Sequence, residues 1–240
     1  MTLMKTCRKL IFLAVLVVLF GCDLSPDASG ITVFSYSFDF SENQDYWEAD
    51  FTDFPAGVDS SSYELKFAYT DRPANLGTKK SLMMSGNNHS DDLFMFMKRK
   101  ISDLTPNTDY TLVFEVELAS NAPKGQVGAG GAPGESVFLK AGAAGTEPRK
   151  VIEDNQYALN VDKGNQNVPG EMATVLGDIA VSYDTQDYAL ITRNNTANSP
   201  FIARSNSKGE IWLIVGTDSG FEGTTTVYYT RINVVFSANN

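Results

Sequence analysis

Apolar and polar residues alternate along most of the chain, and this alternation predicts β-strands. In the stretch 34–40, an aromatic ring stands at every second position, with serine or aspartate between the rings. Successive side chains of a strand point to opposite faces, so such a stretch buries one face and exposes the other. The same alternation occurs in four further stretches: 47–52, 63–70, 111–118 and 228–236.

Two stretches are apolar at every position, namely 93–97 (LFMFM) and 211–215 (IWLIV). A strand that is apolar on both faces is typical of the middle of a sheet that is covered on both sides. Apolar residues at helical spacing are scarce, and we expect at most one short helix, over residues 171–180. The pattern is therefore that of an all-β protein.

Many short strands separated by glycine, proline, asparagine and aspartate predict two packed antiparallel sheets. We predict a two-sheet antiparallel β-sandwich of the jelly-roll type, formed by one domain over residues 31–240. The least regular part, residues 121–180, includes the glycine-rich loop 125–134 (GQVGAGGAPG). We interpret residues 121–180 as an elaboration inserted between the two halves of the sandwich.

The first residues have the pattern of an export signal. Three basic residues precede an apolar run of eleven residues, 10–20, which has the length of a signal-peptide core and is short for a membrane span. Residues 19–22 (LFGC) resemble a bacterial lipobox, which implies removal of residues 1–21 and acylation of Cys22 with diacylglycerol and a further chain such as palmitate. Residues 22–30 would then be a polar tether. An ordinary signal peptide with a chance cysteine and an uncleaved anchor are the alternatives.

Cysteine content and charge agree with an exported, membrane-anchored domain. The two cysteines are Cys7, inside the predicted signal peptide, and Cys22, so the mature domain has no disulfide. The formal net charge is −10, and removal of the basic signal peptide makes the chain still more acidic. An acidic surface repels phosphate, which argues against nucleic acid as a partner. We expect a bacterial cell-envelope lipoprotein, on the periplasmic face or the cell surface.

Several stretches together resemble the galactose-binding-like jelly roll of bacterial carbohydrate-binding modules. They are the aromatic strand FSYSFDF followed by a tryptophan, the strand SLMM, the turn LTPNTDYTL and the closing strand TTVYYTRINVVF. The resemblance covers about residues 31–118 and 188–236 and implies a module that binds glycan without catalysis. In such sites aromatic rings stack on sugar while amides donate hydrogen bonds. Tyr46, Trp47, Asn87 and Asn88 are the candidate ligand-binding residues, and Tyr46 is the ring expected to be exposed.

Acidic clusters are the candidate metal ligands, because Ca²⁺ takes oxygen ligands from carboxylates and carbonyls. The candidates are Asp91, Asp92, Asp218 and Glu222, and structural calcium is the cofactor that they would hold. Asp218 and Glu222 stand in a glycine-containing stretch that we interpret as a tight loop. One histidine and no available cysteine make the common zinc sites improbable.

Catalytic signals are weak. The one histidine, His89, stands in a polar turn, which is typical of a solvated residue. Glu115 and Glu117 share a strand face, as paired carboxylates of a glycoside hydrolase could, but an outward solvated position explains them better. We therefore assign no catalytic residue. We therefore expect a module that binds glycan or another small polar ligand. The first alternative is a structural or adhesive lipoprotein that binds a protein partner, and the second, less favoured by the sequence, is a glycoside hydrolase that uses an acidic pair.

Overall fold

A computed structural model describes residues 31–185, 187–197 and 200–239, and it shows a protein built of β-strands. The predicted signal peptide, Cys22 and the tether lie outside the described residues. No helix in the described ranges is long and apolar enough to cross a membrane. Two short 3₁₀ helices occur, at Ser60–Tyr63 and Ala74–Leu76. The strands are β1 (Ile31–Asp39), β2 (Glu48–Thr52), β3 (Phe54–Pro55), β4 (Lys66–Asp71), β5 (Lys80–Asn87), β6 (Leu93–Ile101), β7 (Asp109–Ser120), β8 (Val137–Ala144), β9 (Lys150–Glu153), β10 (Gln156–Leu159), β11 (Gly164–Asn165), β12 (Val168–Pro169), β13 (Ala173–Asp178), β14 (Ala189–Asn194), β15 (Phe201–Arg204), β16 (Ile211–Ser219) and β17 (Thr224–Asn239).

The larger sheet is organised around two long strands, β7 and β17, which pair with each other. Its order is β14-β7-β17-β5-β4, with β1 also on β17 and β15 also on β7. Strand β17 is long enough to pair β5 along its first part and β1 along its second. These pairings are antiparallel, as predicted.

The second sheet has five strands in the order β13-β8-β16-β6-β2, again antiparallel. Buried aromatic and aliphatic side chains from both sheets form one core, in which Trp47, Phe114 and Phe236 are among the largest. The predicted all-β sandwich is therefore confirmed. The two stretches that are apolar on both faces lie in β6 and β16, inside the five-stranded sheet.

A cover lies on the outer face of the five-stranded sheet and comprises residues 145–172, including β9 to β12. On that face Phe94, Phe96 and Ile214 form a second buried cluster. Leu159 and Val161 of the cover pack against this cluster. The cover therefore explains why β6 and β16 carry apolar residues on both faces.

The region 121–180 contributes more to the sandwich than its irregular sequence indicated. It supplies β8 and β13 to the five-stranded sheet, and only residues 145–172 form the cover. The one short helix that the sequence allowed over residues 171–180 does not form, because Ala173–Asp178 is the edge strand β13. Pairing with β8, with a bulge between Val175 and Gly177, overrides the weak helical pattern.

Candidate functional site

Tyr46 is the most exposed aromatic side chain of the loop between β1 and β2, with 87% of its surface accessible. Asp45 and Tyr46 both have positive φ angles, 54° and 57°. Residues other than glycine seldom adopt this backbone conformation, and consecutive examples turn the chain sharply. The loop thereby directs the ring of Tyr46 into solvent, as the sequence predicted.

Polar groups surround this ring. Asn43, Gln44 and Asp45 line a shallow depression beside Tyr46. The guanidinium of Arg99 lies over the ring, 5.7 Å from its centroid, and donates a 2.9 Å hydrogen bond to Oδ1 of Asp45. The loop therefore presents one aromatic face beside amide, carboxylate and guanidinium groups.

Trp47 supports the loop from inside the core. Its side chain is fully buried and makes edge-to-face contacts with the rings of Phe38 and Phe40. Gln44 Nε2 donates to the main-chain oxygen of Trp47. Trp47 thus anchors the loop and does not offer its ring to a ligand.

Asn87 and Asn88 lie away from Tyr46. Strand β2 begins opposite Lys98 and ends opposite Phe94, whereas the two asparagines lie beyond the Leu93 end of β6. The side chain of Asn88 is buried and donates to the main-chain oxygens of Ser219 and Phe221. The structure therefore does not bring the four candidate ligand-binding residues together.

A second polar feature is a buried ionic cluster between the cover and the five-stranded sheet, formed by Asp53, Asp92, Asp218, Lys140 and Lys163. Lys163 Nζ bridges two carboxylates, at 2.7 Å from Asp53 Oδ2 and 2.8 Å from Asp218 Oδ2. Lys140 Nζ lies 3.1 Å from the same Asp218 oxygen. Asp218 is completely buried and Lys140 is 1% exposed.

Two strands and the cover position this cluster. Asp218 lies in β16 and Lys140 in the adjacent strand β8, so Asp218 does not occupy the tight loop that the sequence suggested. Lys163 belongs to the cover, and its ammonium lies 4.9 Å from the ring centroid of Phe94. Asp53 has a positive φ of 66° between β2 and β3, which directs it toward Lys163.

The two oxygens of Asp218 have different surroundings. Its Oδ2 accepts hydrogen bonds from Lys140, Lys163 and the backbone N–H of Gln166. Its Oδ1 is buried and has no hydrogen-bond partner among the described residues, and the same is true of Oδ1 of Asp92. One oxygen of each of Asp53, Asp92 and Asp218 lies within 4.8 Å of the others.

Charge counting explains the protonation of the cluster. Three carboxylates and two ammonium groups would leave one uncompensated negative charge in a buried place, which is costly. Burial, followed by the charges of Asp218 and Asp53, raises the pKa of Asp92 from 3.8 to about 8. Asp92 therefore carries the proton that makes the cluster neutral at neutral pH.

The two lysines are held differently. Burial lowers the pKa of Lys140 although Asp218 opposes the shift. For Lys163 burial is again the largest influence, but the carboxylates of Asp218 and Asp53 together outweigh it and raise the pKa. Lys163 is thus the fixed cation of the cluster, and Lys140 is the amine that loses its proton more readily.

Of the four candidate calcium ligands, only Asp92 and Asp218 come together. Asp91 and Glu222 are exposed, and the third carboxylate beside Asp92 and Asp218 is that of Asp53. The Lys163 ammonium already bridges Asp53 and Asp218, so a calcium ion would have to displace it. Calcium binding stays a prediction.

The other polar candidates have structural partners. Glu115 Oε1 accepts from Asn233, and Glu117 Oε1 accepts from Thr230 at 2.7 Å. His89 Nε2 lies 3.1 Å from the main-chain oxygen of Ser62. These contacts hold the three side chains in place on the sandwich and its loops.

Sequence reasoning missed three members of the ionic cluster, Asp53, Lys140 and Lys163. A signal was present for Lys140, which is the one charged residue in the run VFLKAGAA. A lysine in a buried strand requires a partner of opposite charge. Asp218, which directly follows the apolar run IWLIVGT, is a carboxylate in a similar setting. Asp53 and Lys163 carry no such local signal, because only the tertiary fold brings them together.

Comparison with known proteins finds low similarity. No protein-family model matches the chain, and no curated protein matches it. A carbohydrate-binding module with specific mannan recognition matches with a TM-score of 0.41 and 11% identity, over 86% of this chain and 98% of that one. A xylan-binding module matches with a TM-score of 0.38 and 11% identity, over 88% and 100%.

A third solved structure is the enzymatically active domain of tailspike protein 4 from bacteriophage CBA120. It matches with a TM-score of 0.34 and 13% identity, and the match covers 78% of this chain but only 19% of the tailspike chain. At these identities and scores the matches are similarities of sandwich folds. They carry no argument about what this chain binds.

Proposed function

We propose that the chain is a non-catalytic glycan-binding module, tethered to a bacterial membrane through lipid on Cys22. The observation that carries the glycan proposal is the exposed ring of Tyr46 on its αL turn, beside the polar groups of residues 43–45. Aromatic rings bury the C–H faces of sugars, and neighbouring amides and carboxylates bond the hydroxyl groups. The proposal rests on this loop and not on the structural matches.

The loop is preorganised for such a role. Trp47 is fixed in the core directly after Tyr46, and Arg99 ties Asp45 and the ring of Tyr46 to β6. A preorganised site loses less conformational entropy on binding than a mobile loop does. The exposed acidic and amide groups suit a neutral, hydroxyl-rich ligand better than an anionic one.

Replacing Tyr46 by alanine is expected to weaken glycan binding about tenfold, because the stacking surface is lost. Binding is measured by glycan array and then by titration with the best ligand. Tyr183→Ala is the matched control, since Tyr183 is also an exposed tyrosine, with 67% of its surface accessible. Equal affinities of the two variants would contradict the assignment of Tyr46, and no binding of any glycan by the unaltered protein would contradict the function.

The membrane tether is proposed from the sequence, since Cys22 lies outside the described residues. Two or more acyl chains on one residue give stable membrane attachment, at about 0.8 kcal/mol for each buried CH₂ group. The sandwich begins at Ile31, so the tether of residues 22–30 would separate the domain from the bilayer. The glycan site would then face the periplasm or the exterior.

Replacing Cys22 by serine is expected to move the protein from the membrane fraction to the soluble fraction and to abolish labelling by radioactive palmitate. Cys7→Ser is the matched control, because Cys7 is the only other cysteine and lies in the predicted signal peptide. Both variants are expressed in a bacterium that processes lipoproteins. Labelling of the Cys22→Ser variant, or membrane retention equal to that of Cys7→Ser, would contradict lipidation at Cys22.

A further inference from the structure

Lys140 and Asp218 form an amine–carboxyl pair that is closed off from water. Lys140 Nζ lies 3.1 Å from Asp218 Oδ2, and the two side chains are 1% and 0% exposed. They extend from adjacent strands of one sheet, with Lys140 opposite Gly216, two residues before Asp218 in β16. Two reactants held in contact by a rigid sheet react as if at very high concentration.

The groups around Asp218 are arranged as in a site for acyl transfer. Oδ2 accepts from the Lys163 ammonium at 2.8 Å and from the Gln166 N–H at 2.9 Å. These donors would stabilise negative charge that develops on Oδ2 when the carboxyl carbon is attacked. Oδ1 accepts from neither the two lysines nor the Gln166 N–H, so it is the oxygen that departs.

Asp92 supplies an acid at the same place. One oxygen of its carboxyl group lies within 4.8 Å of an oxygen of Asp53 and of Asp218. Its Oδ1 is likewise buried and accepts no hydrogen bond from the described residues. Three carboxyl groups meet two ammonium groups in this buried cluster, so one proton is needed among the carboxyl groups to make it neutral. Lys140 supplies the complementary group, because its amine is buried in contact with Asp218 and becomes a nucleophile when it loses its proton.

We propose that Lys140 and Asp218 join in an intramolecular isopeptide bond, formed by the folded chain itself, with Asp92 as the proton-transfer residue. The bond would link β8 to β16 within the five-stranded sheet. No disulfide can form in the mature domain, whose sequence after Cys22 has no cysteine. The isopeptide bond would serve as its covalent cross-link.

The step balances within the cluster. Asp92 gives its proton to Oδ1 of Asp218 and takes up the ammonium proton of Lys140, whose neutral Nζ then attacks the carboxyl carbon, Cγ, so that an N–C bond forms. Asp92 protonates the departing Oδ1, the C–O bond breaks and one water leaves. The nitrogen then returns a proton to Asp92, which ends as it began. No oxidant, reductant or activating nucleotide is required.

Burial favours the product over the ion pair. Two opposite charges in a water-poor interior carry a desolvation cost that their attraction repays only in part. The amide replaces these two charges by one neutral group, and Lys163 remains paired with Asp53. Net charge in the cluster is zero before and after the reaction, with Asp92 protonated in both states.

A tryptic peptide map of the purified full-length protein tests the bond. The expected product is one branched peptide, residues 125–149 joined to residues 209–231, with a mass one water below the sum of the two chains. Trypsin would not cleave after Lys140, because the acylated side chain carries no charge. Recovery of an unlinked 209–231 peptide as the main species would overturn the proposal, and so would a link from Lys163.

Variants separate chemistry from folding. Lys140→Arg keeps a cation but removes the nucleophile, and it is expected to give only unlinked peptides. Asp92→Asn is expected to lower the linked fraction at least about tenfold while the near-ultraviolet circular dichroism stays native. A folded Asp92→Asn protein that is fully linked would overturn the role of Asp92. If a variant fails to fold, the map of the unaltered protein still decides whether the bond exists.

Discussion

Replacing Lys163 by methionine is expected to lower the free energy of unfolding by about 3–5 kcal/mol, the usual cost of removing one partner of a buried ion pair. Lys163 is the only ammonium within ion-pair distance of Asp53 among the described residues, and it also contacts Asp218. The substitution leaves buried carboxylates without compensation and also removes the contact of the Lys163 ammonium with the ring of Phe94. Chemical denaturation at pH 7 measures the change.

Two further variants show whether unpaired charge is the cause. Lys124→Met changes an exposed lysine in the same way and is expected to alter stability by less than about 0.5 kcal/mol. Adding Asp53→Asn to Lys163→Met removes one of the stranded charges and is expected to restore part of the loss. A Lys163→Met protein as stable as Lys124→Met would contradict the importance of the ionic cluster. The direction is the same whether or not Lys140 is linked to Asp218, because Asp53 loses its partner in either case.

The strands were predictable because a half-buried strand records its environment locally. In β1 the ring of Phe38 is buried, whereas Ser37 and Asp39 on either side of it are exposed, as the period of two requires. The alternation carries no information about which strands pair. The arrangement of β1 and β5 along one edge of β17 depends on contacts between distant parts of the chain, so it came only from the structure.

The Tyr46 loop and the ionic cluster differ in how far the sequence alone predicts them. Tyr46 was predictable as an exposed ring because it stands out of phase with the buried residues that follow it. Asp53, Lys140 and Lys163 were not predicted, because a charged residue in a sequence suggests solvent unless its partners are known. The cover is what buries them, and its residues 145–172 have too little periodicity to show where they pack.

Because Asp92 keeps its proton in the folded state, the protein is expected to become less stable as pH rises from about 4 to about 8. Asp92 has a pKa of about 8 in the folded protein and an ordinary value of 3.8 when unfolded. Between these values the folded state binds the extra proton, so stability decreases with pH, by up to about 1.4 kcal/mol per pH unit for this one group. Below pH 4 both states are protonated and above pH 8 both are ionised, so the slope from this group vanishes.

Asp92 is identified by the slope of the unfolding free energy against pH and not by its absolute value. Four other charged groups face Asp92 in the cluster, and a substitution of Asp92 also changes the absolute stability through its contacts with them: Asp53, Asp218, Lys140 and Lys163. Burial raises the pKa of Asp53 as well, which adds a slope of the same sign in every variant that keeps Asp53. Asp92→Asn imitates the neutral acid at every pH, and it is expected to flatten the curve between pH 4 and 8. Asp91→Asn, which removes the exposed carboxylate next to Asp92, is the matched control. A covalent link between Lys140 and Asp218 would remove the Asp218 charge but not the burial, which is the largest cause of the raised pKa of Asp92. Equal slopes for Asp92→Asn and the unaltered protein would therefore show that Asp92 is ionised in the folded state.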